Sequence, residues 1–101
     1  MDVVLKSKHG THYATGKYDG SELIVLKGSK INQIDSFPKM PRDIRNLRNN
    51  SEIVSPNGVV LQNVVFSSPS AAAVFVTGRS SNGYIAWRIE DKVSLKEYRK
   101  E

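Results

Sequence analysis

The sequence predicts a single α+β domain over residues 1–101, a small antiparallel sheet packed with two short helices. Three observations lead there. The first 27 residues hold three short runs rich in β-branched and aromatic residues, parted by His9-Gly10 and by Tyr18-Asp19-Gly20, which reads as a β-meander. Residues 68–78 are an alanine-rich apolar stretch punctuated at both ends as a helix. Pro41 opens a second helical pattern, with Asp43 in the first turn, Ile44 and Leu47 three apart and Asn49-Asn50 at the end. A length of 101 residues suits one domain and no second one.

In chain order, VVLKSK at 3–8 predicts the first strand, residues 11–17 alternate around His12, Tyr13 and Thr15, and ELIVLK at 22–27 predicts the third, closed by Gly28-Ser29. Residues 30–40 have no sustained period, and Pro38 and Pro41 block a helix there. An ordered loop of that length in a small domain is often a binding loop. In the helix after Pro41, Arg42, Arg45 and Arg48 fall three apart, which predicts one exposed face of guanidinium groups with only Asp43 nearby. That face reads either as plain solvated surface or as a phosphate contact.

Residues 53–78 carry no charge, so they should supply most of the core. Ser55-Pro56-Asn57-Gly58 between Ile53-Val54 and Val59-Val60-Leu61 reads as a hairpin turn, and Val64, Val65 and Phe66 lead into the punctuated helix. Ser68 stands at the N-cap with Pro69 at the first helical position. Ala71 to Val76 leave no polar face, Gly78 suits the left-handed residue that ends a helix, and Arg79 lies near the carbonyl end. Asn82-Gly83 then reads as a positive-φ turn, and Tyr84 to Trp87 as a half-buried strand with Trp87 in the core and Tyr84 partly exposed. Arg88 and Ile89 continue it, Glu90-Asp91 turns, and Ser94 with Glu97 forms a capping box for a last short helix.

Catalysis is not expected. Cysteine is absent, no Ser sits in a G-x-S-x-G elbow, and no carboxylate pair is apparent. His9 and His12 lack a third metal ligand and read as surface histidines, and Tyr13 and Tyr18 as surface aromatics. Lys27-Gly28-Ser29-Lys30 falls short of a phosphate-loop pattern, so no cofactor, metal or small-molecule substrate is expected. Without a signal peptide or an apolar run of about 18 residues, no membrane partner is expected and the cytoplasm is the expected location. The net charge of +5 favours polyanionic partners. Candidate contacts are Lys27, Ser29 and Lys30, the helix bearing Arg42, Arg45 and Arg48, and the turn with Arg79, Ser80 and Asn82, with Tyr84 available to stack on a base.

The SSPSAAA run, Gly78-Arg79-Ser80, Asn82-Gly83, the aromatic at 84 and Trp87 resemble a small bacterial domain of unknown function. Leu23 to Ser29 and Ser94 to Tyr98 fit the same pattern, so the resemblance spans residues 22–99. That domain is similar to the RAMA (restriction-enzyme adenine methylase associated) domain, found beside GIY-YIG nucleases and restriction-modification methylases. Tyr84 stands where the pattern usually has Trp, and Asn63 where it is often acidic. The resemblance implies a non-catalytic DNA-binding accessory module that senses modified DNA in a restriction-modification setting, beside a nuclease or methyltransferase domain or subunit. A protein-interaction or regulatory module docking on such an enzyme is the alternative, supported by the generous aliphatic content and the lack of common nucleic-acid-binding signatures.

Overall fold

A computed structural model of the chain describes residues 1–90 and 92–99. Strands β1 (Asp2–Lys6), β2 (Tyr13–Tyr18) and β3 (Leu23–Val25) are the meander read from the sequence, and β4 (Val64–Phe66) pairs beside β3. Two short strands, β5 (Arg88–Ile89) and β6 (Val93–Ser94), complete an antiparallel sheet in the order β4-β3-β2-β1-β5-β6. Helices α1 (Arg42–Arg48) and α2 (Pro69–Thr77) are the two of seven residues or more. The shorter α3 (Gly83–Ala86) and α4 (Leu95–Arg99) make the fold a mixed α+β domain.

Alternation along the strands decides which sheet face is covered. Val3 and Leu5 on β1, Ala14 and Tyr18 on β2, Leu23 and Val25 on β3, and Val64 and Phe66 on β4 are buried in one core with Ala72, Ala73, Phe75 and Val76 of α2. Phe66 and Phe75 meet with ring centroids 5.1 Å apart and planes tilted by 43°. The intervening residues Val4, Thr15, Ile24 and Val65 face the other way and stay half-buried or exposed. Tyr18, expected at the surface, lies on the covered face because of this register.

The ends of α2 form as its sequence dictates. Ser68 Oγ accepts from the Ala71 N–H at 3.1 Å, and Gly78 adopts φ 73°, donating to the Val74 carbonyl at 2.9 Å. The 55–58 turn closes as expected, with the Ser55 N–H on the Val59 carbonyl and a bridge between Val54 and Val60. Ser94 Oγ accepts the Glu97 N–H at 3.2 Å and starts α4. The Asp91 half of the expected turn lies outside the described residues.

The expected strand over 84–87 is replaced by α3 at Gly83–Ala86, with Trp87 following it in extended backbone. Asn82 acts as an N-cap, its Oδ1 accepting from the Tyr84 N–H at 3.0 Å, and Gly83 has no positive φ. Glycine is needed at 83 for close approach instead: a Cβ there would run into the Pro69 carbonyl group. Its N–H donates to Ser70 Oγ at 3.0 Å, and the fully buried Trp87 donates its indole N–H to the Pro69 oxygen at 3.1 Å. Satisfying that indole and closing α3 onto the start of α2 outweigh the local turn preference of Asn-Gly. No helix among the described residues is long and apolar enough to cross a membrane.

Candidate nucleic-acid interface

The guanidinium groups of α1 do not form an open face. Arg48 donates through its two terminal nitrogens to the Phe75 and Asn32 carbonyls, each at 2.6 Å. Arg45 forks onto the Asp35 carboxylate, with Nε at 2.7 Å from Oδ2, and also donates to the Phe37 carbonyl at 2.6 Å. Of the three, Arg42 is exposed and Arg45 and Arg48 are half-buried. The physical reason lies at the end of α2, whose last carbonyls have no partners within the helix. The 30–40 loop supplies them, with the Asn32 N–H on the Val76 oxygen and the Ser36 N–H on the Gly78 oxygen, both at 2.8 Å. A cation beside those carbonyls is further favoured by the helix dipole. Arg45 and Arg48 therefore latch the loop onto both helices. Burial pushes Arg48 below the usual arginine value, with the Asp35 charge opposing, and Arg45 with the Phe37 N–H holds Asp35 below the usual carboxylate range.

The remaining candidates divide sharply. Ser29 is buried, its Oγ accepting the Thr15 N–H at 3.1 Å and donating to the Thr15 carbonyl at 3.3 Å, so it joins the 27–30 turn to β2 and offers nothing to a ligand. The Asn82 side chain is engaged as the α3 cap, and Tyr84 packs half-buried against the core. Lys27, Lys30, Arg79 and Ser80 are exposed. The Lys27 N–H is held by Asn63 Oδ1 at 2.8 Å, and the Arg79 carbonyl accepts from the Thr77 hydroxyl at 3.1 Å, which fixes the backbone beneath two of these cations.

Two of the exposed cations come together around residues outside the predicted set. Lys30 and Tyr13 exchange both backbone hydrogen bonds, at 2.8 and 2.9 Å, across a single β-bridge. His12 precedes Tyr13 and is buried rather than at the surface, 5% exposed, with its Nδ1 3.0 Å from Thr11 Oγ1. Desolvation, and secondarily the positive charge of Arg79, lower its pKa. Lys30, Tyr13, His12 and Arg79 thus share one end of the molecule, whereas nothing ties Arg42 to them. The signal for Tyr13 was its alternation with buried Ala14, which places it on the uncovered face.

Charge is segregated along the sheet. The end where β1 finishes and β2 begins carries Lys6, Lys8, Lys27 and Lys30, with Arg79 near enough to act on the His12 charge. At the other end lie Asp2, Asp19 and Glu22, with Lys17 paired to Asp2. A cleft of 190 Å³ between the loop and the 54–58 turn is lined by Ile31, Asp35, Arg48 and Ser55. It is smaller than the roughly 300–1,000 Å³ usual for small-molecule sites. Among the described residues no group of three His, Asp or Glu could hold a metal ion.

No curated protein and no solved structure matches the chain. The model of one family, described as a domain of unknown function (DUF4357), matches residues 4–99. With nearly its whole length covered, the chain belongs to the DUF4357 family.

Proposed function

We propose that this domain is a non-catalytic nucleic-acid-binding accessory module, one that helps a nuclease or methyltransferase engage DNA and responds to modified bases in a restriction-modification setting, as its RAMA-like sequence pattern implies. The observation that supports this reading is the segregated charge: a cationic end built from Lys6, Lys27, Lys30 and Arg79, on a chain of net charge +5. Cations gathered on one end gain affinity for a phosphate backbone by releasing its counterions, and Lys and Arg there position a strand without reading it. Fluorescence anisotropy with labelled DNA, with and without N6-methyladenine, tests the proposal at about 50 and about 200 mM salt. Binding that weakens at the higher salt and is lost in a Lys30→Ala/Arg79→Ala variant is the expected result, and no binding at the lower salt overturns it. A protein-docking role is favoured by one feature, the 54% exposed Val65 on edge strand β4 beside Ile24. Under that reading, association with a nuclease or methyltransferase chain would be insensitive to salt.

A further inference from the structure

We infer that the uncovered face of the sheet is a stacking surface for single-stranded nucleic acid, centred on Tyr13 between Lys6 and Lys30; this rests on the nucleic-acid reading and assigns it a face and a strand type. The residues that pack against helices alternate with residues that do not, so among the described residues no helix lies over this second face. Its floor is Val4, Thr15, Ile24 and Leu26, each half-buried. Tyr13 stands at the cationic end of that floor, 52% exposed. Its backbone is held by strand partners on both sides and a tyrosine has only two side-chain torsions to fix, so stacking a base on the ring costs little entropy.

The register places a lysine on each side of the ring. Lys6 lies directly opposite Tyr13 on β1, in a pair whose backbone hydrogen bond is carried by the next residues, from the Ser7 N–H to the His12 carbonyl. Side chains in such a pair approach most closely. Lys30 lies directly opposite on the other side. With neighbouring strands about 4.8 Å apart, the two lysine stems leave the sheet about 10 Å from each other with the ring between them. A base stacked on Tyr13 would therefore have a flanking phosphate within reach of the exposed Lys30 ammonium, the pairing of stacking and charge that holds single strands.

Duplex DNA fits this face poorly. Major-groove reading uses a protruding helix or ribbon, and the seven-residue α1 has two of its three arginines committed to carbonyls and to Asp35. A flat face with one aromatic suits bases that are already unstacked.

The test is anisotropy with a labelled single strand and with its duplex, using wild type, Tyr13→Ala, Tyr13→Phe and Lys30→Ala. Wild type should prefer the single strand, Tyr13→Ala should weaken that binding by about 5- to 100-fold while leaving the duplex unchanged, and Tyr13→Phe should stay close to wild type. Because Tyr13 is exposed, both variants should melt with wild type, which separates lost contact from lost fold. Equal affinity of wild type and Tyr13→Ala for the single strand overturns the stacking face while leaving nucleic-acid binding intact. Failure of wild type to bind either nucleic acid overturns both, and salt-insensitive capture of a nuclease or methyltransferase chain by the same face would put a protein there instead.

Discussion

Replacing Arg48 by Ala removes the latch between α1, the 30–40 loop and the end of α2. Two charge-assisted hydrogen bonds go, to Phe75 and Asn32, and their carbonyls lose a cationic donor. Each such bond contributes about 1.5–3 kcal/mol, so the gross loss is about 3–6 kcal/mol. Releasing the ordered side chain returns about 2 kcal/mol of rotamer entropy, and partial access of water to the site lowers the figure further. A net loss of about 1–3 kcal/mol remains, which for a domain of this size lowers Tm by about 5–20 °C. Thermal unfolding followed by circular dichroism measures it. Arg42→Ala, exposed on the same helix, is the control and should stay within about 0.5 kcal/mol of wild type. Arg48→Lys should recover only part of the loss, since a single ammonium nitrogen cannot occupy the positions of both terminal guanidinium nitrogens. Hydrogen exchange should quicken first at the Asn32 and Ser36 amides, which bond to the Val76 and Gly78 carbonyls. An Arg48→Ala variant that melts with wild type would refute the latch.

Gly83→Ala should cost about 3 kcal/mol or prevent folding, because a Cβ there meets the Pro69 backbone, and Trp87 would lose the geometry of its indole bond; a urea midpoint unchanged from wild type would contradict this. Stability should fall on acidification below about pH 6.5: His12 is neutral in the folded protein with a lowered pKa, so the unfolded chain takes up its proton first and gains from it as pH drops through that window. Urea midpoints measured across that range should show the slope in wild type and a flatter profile in His12→Asn.

The meander, the charge-free core segment and both ends of α2 were legible because each depends on local chemistry: alternation, a serine cap with proline behind it, and a glycine at a left-handed position. Trp87 in the core and Tyr84 partly exposed were legible too, but the helix at Gly83–Ala86 was not, since α3 brings Gly83 against Pro69 and satisfies the Trp87 indole, a contact 18 residues away in the chain. The α1 arginines misled for a related reason. A helical stripe of cations looks the same in sequence whether it faces water or the open carbonyls of another helix, and what distinguishes the two here is Asp35 together with a loop folded over α2. Ser29 and His12 were likewise drawn inside by register rather than by residue type. The cationic end was half legible: Lys27, Lys30 and Arg79 were visible as charges, while Tyr13 and Lys6 joined them only once strand pairing was known.

The most direct test of nucleic-acid binding at this end is the affinity of the intact chain for a labelled single strand, measured as salt is raised from about 50 to about 200 mM. With three phosphates met by Lys27, Lys30 and Arg79, log K should fall linearly with log salt at a slope of about −2. Undetectable binding at the lowest salt, or an affinity that does not change with salt, would contradict it.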